Sequence, residues 1–309
     1  MGEGKGITTV THEKLRAWME QGRDLVVIDI LPGDVYRKRH LPGAKSACVY
    51  EVVFPQQIEA IVPDRSREIV VYGSRIVSMD APTAAEKLAR LGYQRVYVLS
   101  GGLAAWREAG YVLEGEEVDG TLDPGTRLTL PEGVHAVDTD QSVVEWIGRN
   151  PNGRHFGTIK LAGGEITVRG SEISGSFTID MGTIKNVDLE CNDWQPVLLA
   201  HLESDDFFFV KLFPTAKFTI TAAELVGDPT LSSPNLEVEG ILELRGVRNS
   251  LSFPATVSTL PDERIAAEAH FDLDRTRWRV IYGSSRFFEH LGMHLVFDLI
   301  TIQLRVVTR

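Results

Sequence analysis

The spacing of hydrophobic residues changes partway along this chain of 309 residues. Up to about residue 112, continuous apolar runs at 25–28, 69–72 and 96–99 alternate with segments of helical spacing. Apolar runs of this length are typical of strands that are buried on both faces. Strands that alternate with helices predict an α/β unit, in which helices cover a parallel sheet.

Two threonines predict where helices begin in this first region. Thr11 precedes a segment that places Leu15 and its apolar neighbours on one side. Thr83 and Glu86 form a capping-box pattern, and Gly92 is a typical stop signal. We therefore expect one helix to begin after Thr11 and another at Thr83.

From about residue 134 onward the apolar residues recur at every second position. The pattern is clear in 177–181, 236–245, 251–257, 265–273 and 300–306. Many strands with one apolar and one polar face predict an antiparallel sheet that is closed or folded over, as in a barrel or sandwich. The fold class is thus multidomain, an α/β domain followed by an all-β domain.

An acidic stretch rich in glycine and proline separates the two patterns at residues 113–131. Such a composition is typical of a linker. The predicted domains are therefore residues 1–112 and 132–309, and the length of the chain is sufficient for two separate cores.

Composition restricts the classes of protein further. With 43% hydrophobic and 24% charged residues, the chain is an ordinary globular protein rather than a disordered one. Its two cysteines, Cys48 and Cys191, cannot form a disulfide framework and lack a CxxC spacing, so we expect no structural zinc or iron–sulfur site and no cofactor. No apolar stretch approaches the roughly 20 residues of a membrane span, and the N-terminal residues lack the apolar core of a signal peptide. We expect a cytoplasmic protein.

The net charge of −11 is unevenly distributed. Residues 1–120 contain 15 basic and 17 acidic residues, whereas residues 121–309 contain 17 and 26. Neither part has the basic excess that phosphate backbones attract, so nucleic acid is not an expected partner. The excess negative charge is most simply explained by solubility.

Three motifs give residues 7–112 a resemblance to the rhodanese-like family. They are V-I-D at 27–29, H-L-P-G-A at 40–44 and L-S-G-G-L-A-A-W at 99–106. Two shorter segments, L-G-Y at 91–93 and A-G-Y at 109–111, also resemble the family's pattern. The resemblance implies an α/β fold in which Asp29 and His40 orient the loops rather than react.

Active members of that family place a nucleophilic cysteine directly after the central strand. Here the strand at 69–72 is followed by Gly73, and the corresponding loop has no thiol: Gly73, Ser74, Arg75, Ile76, Val77, Ser78. Without a thiolate there is no persulfide intermediate, so the sequence predicts no sulfurtransferase activity and no catalytic residue. Ser74 would need a neighbouring base, and none is visible in the loop. Weak anion binding by the loop amides and Arg75 is an alternative, but a docking or regulatory module for a protein partner is the favoured interpretation.

Residues 134–308 resemble the YceI-like family over a long collinear stretch. Matching segments lie at 137–146, 175–181, 201–218, 240–247 and 275–284. The resemblance implies a lipocalin-like antiparallel barrel of eight strands, whose lumen takes a long isoprenoid or similar amphiphile.

The residue pattern agrees with such a lumen without identifying a ligand, since a small barrel can hold packed side chains or one slender ligand. Small residues at inward positions, such as Gly240, Ala255, Ala267 and Ala269, favour a cavity. We predict that the lining consists of large residues that either take an inward position in the alternation or match the family. They are Trp146, Phe177, Ile179, Met181, Phe207, Phe208, Phe218, Trp278, Tyr282 and Phe288. The alternative is that these rings fill the ends of the barrel as ordinary core.

Arginines flank the second aromatic segment and are candidates for binding a polar head group. Arg275, Arg277 and Arg279 have the guanidinium chemistry that suits phosphate or pyrophosphate. The alternative is that they only balance the acidic charge of the domain. His290 and His294 have the i, i+4 spacing of paired metal ligands, but no third ligand is evident, so we predict no metal site.

The sequence therefore predicts that the barrel binds or carries a long apolar amphiphile without catalysis. Suitable ligands are a polyisoprenoid, a quinone or a fatty-acid derivative. The alternatives are a stress-response or interaction scaffold whose barrel is filled by its own side chains, and residual sulfurtransferase-like or anion-binding activity in the first domain.

Overall fold

The structure is a computed structural model that describes residues 7–120, 128–226 and 232–309. The chain divides into two compact units, Met1–Asp123 and Pro124–Arg309. The N-terminal residues 1–6 and residues 121–127 of the predicted linker lie outside the described residues. In the described residues no helix is long and apolar enough to span a membrane.

The first unit is a parallel sheet with helices, as the alternating pattern predicts. Its elements are β1 (Ile7–Val10), α1 (His12–Glu20), β2 (Leu25–Asp29), α2 (Gly33–Lys38), β3 (Lys45–Ser46), α3 (Phe54–Ile61), β4 (Glu68–Tyr72), α4 (Asp80–Arg90), β5 (Arg95–Leu99) and α5 (Gly102–Glu108). The five strands pair in the order β1-β5-β4-β2-β3, and every pairing is parallel. All five residues of the central strand β4 are buried.

Two hydrophobic clusters cover the two faces of this sheet. Alternate residues of β4 contribute to each: Ile69 and Val71 pack with α3 and α4, and Val70 and Tyr72 pack with α1 and α5. The continuous apolar run at 69–72 is therefore explained by burial on both sides.

Residues 113–120, which the composition assigns to the linker, pack against the first unit. Glu114 pairs with His40 as an isolated bridge, and the backbone amides of Glu116 and Glu117 donate to carbonyls of α2. These backbone hydrogen bonds give the acidic stretch an ordered position up to Gly120, whose carbonyl accepts from Arg39.

The second unit is an antiparallel barrel. Its elements are β6 (Gly133–Ala136), β7 (Val143–Asn150), β8 (Gly153–Arg169), β9 (Glu172–Asn186), α6 (Gln195–Glu203), β10 (Thr215–Leu225), β11 (Leu236–Leu244), β12 (Val247–Thr259), β13 (Ile265–Asp274) and β14 (Leu299–Val307). The strands from β7 to β14 pair in the order β8-β7-β14-β13-β12-β11-β10-β9, and pairing of β8 with β9 closes the barrel at eight strands. The short β6 adds to β8 outside this circuit.

Closure depends on the two longest strands, β8 and β9. The register of their pairing shifts between Thr158 and Lys160 and again between Leu161 and Gly163. Such bulges bend a strand and increase its twist, which lets a flat hairpin curve into a wall. Apolar residues at alternate positions then face a common interior, where two clusters form, one of them beside α6.

Candidate functional site

The loop that follows β4 runs from Gly73 to Met79. The sequence predicts a helix start at Thr83, and this prediction is wrong, because α4 begins at Asp80. The capping-box pattern is therefore not the start signal here. The Asp80 side chain instead accepts a hydrogen bond from the Ala81 amide at 2.7 Å, within the first turn of the helix.

The carboxylate of Asp80 fills the position that a side chain at Gly73 would occupy. A Cβ atom added to Gly73 would lie 2.0 Å from Asp80 Oδ1 and 2.3 Å from its Cγ. The same carboxylate accepts from the Ser74 amide at 3.2 Å and lies 3.4 Å from the Ser74 hydroxyl. The loop amide that was a candidate for anion binding is thus already occupied by an anion of the chain itself.

Ser74 therefore has a carboxylate neighbour that sequence reasoning missed, because Asp80 lies beyond residues 73–78, the segment in which no base is visible. No imidazole is among the hydrogen-bond partners of this pair in the part of the chain that the structure describes. Arg75, Ile76, Val77 and Met79 are exposed on the loop surface. The loop consequently presents apolar side chains to solvent, while the Asp80 carboxylate at the start of α4 lies buried beneath it.

A second carboxylate is buried nearby at the end of β2. Asp29 is fully buried, its Oδ1 accepts from the Leu31 amide at 2.9 Å, and its Oδ2 has no hydrogen-bond partner among the described residues. Burial raises the pKa of Asp29 to about 6, and the charge of Asp80 adds to the rise, although the Tyr72 hydroxyl, the Leu31 amide and His40 oppose it. His40 itself stacks on Tyr36 at 4.0 Å, and its Nδ1 lies 2.8 Å from the Tyr36 carbonyl oxygen.

Both cysteines of the chain lie outside this loop. Cys48 is buried and Cys191 is exposed, and neither forms a disulfide. A buried cysteine of this kind commonly behaves as a small apolar residue.

The barrel of the second unit encloses a cavity of about 450 Å³. Its lining is dominated by aliphatic and aromatic side chains from all eight strands and from α6. Cavities that bind small molecules commonly have volumes of about 300–1,000 Å³. Among the described residues that line this cavity there is no aspartate or glutamate.

Eight of the ten predicted ligand-binding residues line this cavity, and they come from five separate segments. They are Trp146, Phe177, Ile179, Met181, Phe207, Phe208, Phe218 and Tyr282. Parity along the strands brings five of them inward, and the segment after α6 adds Phe207 and Phe208. Two of the small inward residues, Ala255 and Ala267, also line the cavity.

Trp278 and Phe288 do not line the cavity, contrary to expectation. Trp278 is fully buried in a short 3₁₀ turn, where its Nε1 donates to the Leu242 carbonyl at 2.8 Å. Phe288 is 45% exposed. Neither residue belongs to a strand, so the alternation that identifies inward positions does not apply to them.

The predicted head-group arginines are also placed differently. Arg277 and Arg279 are exposed and do not line the cavity. Arg275 does line it, but its guanidinium donates to the carbonyls of Val280, Val296 and Phe297 at 2.5–3.1 Å. Burial lowers the pKa of Arg275, and these carbonyls use the hydrogen-bonding capacity that a phosphate would need.

Polar side chains of the lining lie at one end of the lumen, which we call the mouth and define by His155, His201, Tyr282 and His294. Sequence reasoning predicts Tyr282 as a lining residue and rejects His294 as a metal ligand, but it misses His155 and His201. The Tyr282 hydroxyl lies 2.9 Å from His294 Nδ1, and the rings of His201 and Tyr282 are 4.5 Å apart. The alternation of inward residues in β8 could have identified His155, but no pattern signals His201 as a lining residue.

The mouth histidines have partners other than a metal. His155 Nδ1 lies 2.8 Å from Asp188 Oδ2, and His201 Nε2 lies 3.3 Å from Asp206 Oδ2. Across residues 7–120, 128–226 and 232–309, no group of three or more His, Cys, Asp or Glu residues could hold a metal ion.

Comparisons with known proteins agree with this two-part organisation. A model of the YceI-like domain matches residues 135–308, and a model of the rhodanese-like domain matches residues 11–109. A search of curated proteins finds no match.

Among solved structures, the chain is similar to BcnA from Burkholderia cenocepacia, with 18% identity, a TM-score of 0.45, and coverage of 56% of this chain and 99% of that one. It is also similar to a polyisoprenoid-binding domain from Saccharophagus degradans, with 14% identity, a TM-score of 0.43, and coverage of 58% and 99%. A thiosulfate sulfurtransferase from Pseudomonas aeruginosa is 32% identical, with a TM-score of 0.33, over 35% of this chain and 20% of its own.

Proposed function

Since this chain belongs to the YceI-like family and carries a rhodanese-like domain ahead of its barrel, we propose that the barrel binds or carries a long apolar amphiphile in its lumen, without a covalent step. The ligand is a polyisoprenoid, a quinone or a fatty-acid derivative. The observation that carries this proposal is the apolar cavity of about 450 Å³ inside the closed barrel.

The chemistry of the lining explains why an apolar chain would bind there. Burial of each methylene contributes about 0.8 kcal/mol, so even a short length of chain inside the lumen gives useful affinity. The unfilled volume supports a ligand-binding role over the alternative of a barrel filled by its own side chains. An unfilled volume forfeits packing contacts, so a barrel that served only as a scaffold would gain no stability from it.

The proposal is tested by extracting the purified chain with organic solvent and identifying amphiphiles by mass spectrometry, together with uptake of prenyl probes. Ala255→Phe places a ring in the lumen, whereas Ser252→Phe places the same ring on an exposed position of the same strand β12. Excluding two methylenes costs about 1.6 kcal/mol, so we expect Ala255→Phe to weaken uptake roughly tenfold or more and Ser252→Phe to leave it unchanged. Absence of any co-purified amphiphile and of any uptake would overturn the proposal.

For the first domain we propose a regulatory or docking role without sulfurtransferase activity. The absence of a cysteine between Gly73 and Asp80 supports this, as does the Asp80 carboxylate in the space where a side chain of residue 73 would lie. The exposed Ile76, Val77 and Met79 support a docking surface.

An assay with thiosulfate or mercaptopyruvate as the sulfur donor tests the lack of activity, and we expect none above background. The variant in which Cys48 and Cys191 are both replaced by serine is the control. The variant has no thiol that could form a persulfide. Sulfurtransferase activity that persists in it would therefore mean that another group accepts the sulfur, and it would contradict the proposal.

A further inference from the structure

The two ends of the lumen differ in their exposure to solvent. At the mouth, Met293 lines the cavity and is 86% exposed. The opposite end, which we call the floor and define by Val257, Ile265 and Val306, lies where β12 and β14 end and β13 begins. All three floor residues line the cavity and are buried. A ligand therefore has an entrance at the mouth, and the floor is the far end of its path.

Buried polar side chains hold the strands together at the floor. Asn235 forms two hydrogen bonds with the backbone of Val257, at 2.8 and 2.9 Å. The Thr308 hydroxyl accepts from the Ile265 amide at 2.9 Å. Both side chains are fully buried, and loss of such buried hydrogen bonds is costly. These bonds therefore fix the end of β12 and the start of β13 in place.

The segment before β6 adds a further layer at the floor. Leu128 and Leu130 pack against the apolar cluster to which the floor residues belong, and Leu130 also lines the cavity. Thr259 Oγ1 donates to the Thr129 carbonyl at 2.6 Å, which attaches the segment to the end of β12. A chain that enters at the mouth would therefore meet packed side chains at the floor.

The depth of the lumen limits the length of chain that it holds. On β14 the lining residues run from Ile300 near the mouth to Val306 at the floor, six positions or about 20 Å along the strand. With the tilt of about 35–45° that is usual in barrels, the depth along the axis is about 15 Å. An extended chain advances about 1.2 Å per backbone atom, so this depth takes about 12–13 chain atoms.

The volume of the lumen gives a similar limit. If a methylene group occupies as much volume as a water molecule in the liquid, about 30 Å³, a cavity of about 450 Å³ holds about 15 of them. Three isoprene units fit both limits, because their methyl branches add carbons without adding length.

We propose that the lumen is a blind tube that limits chain length: it takes an apolar chain tail-first, to about 15 carbons, and leaves any longer part outside the mouth. This inference rests on the proposed function and adds a length limit to its ligand class. The tail enters first because the floor is apolar, whereas the mouth carries histidines and Tyr282 that can bond to a polar head.

The test uses geraniol, farnesol and geranylgeraniol, which have two, three and four isoprene units. Isothermal titration calorimetry measures their affinities for the full chain below the concentrations at which the alcohols self-associate. Because each buried carbon adds a similar gain, we expect farnesol to bind at least about a hundredfold more tightly than geraniol, and geranylgeraniol within about threefold of farnesol. A gain from farnesol to geranylgeraniol as large as that from geraniol to farnesol would overturn the length limit and leave the binding function intact. Failure to bind any of the three would overturn both.

Ala267→Leu narrows the far end of the tube, because Ala267 pairs with the floor residues Val257 and Val306. Three added carbons leave room for geraniol but not for all of farnesol. We therefore expect farnesol to bind at least about tenfold more weakly and geraniol to change less than twofold. His270→Leu, at an exposed position of the same strand, is the matched control and should change neither. Equal losses for the two alcohols in Ala267→Leu would contradict the length limit.

Val306→Ala enlarges the floor and keeps the test decisive if Ala267→Leu does not fold. Loss of two carbons there makes room for more of the longest probe, so we expect geranylgeraniol to bind about fivefold or more tightly than farnesol in this variant. An unchanged ratio of the two affinities would show that the floor does not set the limit.

Discussion

In the loop of the first unit the chain's own carboxylate occupies the candidate site, whereas in the barrel of the second unit the candidate site is empty space. Asp80 lies where a side chain of residue 73 would be, and Asp29 is fully buried at the end of β2, where the charge of Asp80 adds to the rise of its pKa. The lumen, in contrast, has no carboxylate among its described lining residues and leaves about 450 Å³ unfilled.

This comparison shows how two sites of one chain can be closed or open to a ligand for reasons of packing and charge. A buried carboxylate near the loop repels an incoming anion and takes the amide that would hold it. In the lumen the lining is apolar and has few hydrogen-bonding groups. Replacement of water there by an apolar chain lowers the free energy, and no buried carboxylate among the described lining residues opposes it. The following substitutions test that contrast, from the largest expected effect to the smallest.

Arg275→Met tests whether the cation at the lumen is structural. Its loss would leave the carbonyls of Val280, Val296 and Phe297 without their donor, and we expect the barrel to lose about 3–5 kcal/mol of unfolding free energy. Arg277→Met is the control, because that exposed residue donates to the Ser250 carbonyl and should cost less than about 1 kcal/mol. Urea unfolding of the full chain measures both. A stable Arg275→Met variant that loses only ligand affinity would show that Arg275 is a head-group residue instead.

Asp29→Asn tests the buried acid of the first unit. Because burial raises the pKa of Asp29 from 3.8 to about 6, the folded form binds its proton more tightly than the unfolded form does. This group therefore stabilises the fold less as the pH rises from about 4 to 6, and the full penalty of about 2–3 kcal/mol is present above pH 6. We expect Asp29→Asn to stabilise the first unit by about that amount at pH 8 and to have little effect at pH 3.5.

Hydrogen exchange of peptides from β2 and β4 follows the first unit in the full chain, which avoids the assumption that both units unfold together. Asp64→Asn is a suitable control, because Asp64 lies on the surface and its pKa is lowered by hydrogen bonds to Ser66. A variant at position 29 that is no more stable at pH 8 than at pH 3.5, relative to the wild type, would contradict the raised pKa.

Gly73→Ala tests whether the loop site is full. The added methyl group would lie 2.0 Å from Asp80 Oδ1, so the carboxylate must move, at a cost of about 1–3 kcal/mol. In the Asp80→Ala background the same substitution should cost much less, since the obstructing group is gone. A double-mutant cycle on unfolding free energies measures this coupling, and independent, additive effects would contradict it.

Gly148→Ala is the matched change in the lumen and should have the smallest effect. Gly148 lines the cavity, and a Cβ added there would meet no atom within 4 Å. We therefore expect its unfolding free energy to stay within about 0.5 kcal/mol of the wild type. A cost as large as that at Gly73 would mean that the lumen is packed rather than open.

Strand interiors were predictable to a useful degree and turns were not. Alternation along the strand identified Phe177, Ile179 and Met181 as neighbours of one space, because it decides which face of a strand a residue takes. The same reasoning misplaced Trp278, whose 3₁₀ turn has no such alternation. It also missed Asp80, since the contact with Gly73 depends on the path of the loop between them.

The order of hydrophobic and polar residues was enough to predict an α/β unit followed by an antiparallel all-β unit, because burial must match the period of each element. The amino-acid sequence was also enough to show that no cysteine lies between Gly73 and Asp80. Three facts required the tertiary structure: that Asp80 fills the space beside Gly73, that Arg275 donates to the chain's own carbonyls, and that Trp278 donates to the Leu242 carbonyl. Each depends on distances between residues that are remote in sequence or joined by an irregular loop, and local patterns carry no information about such distances.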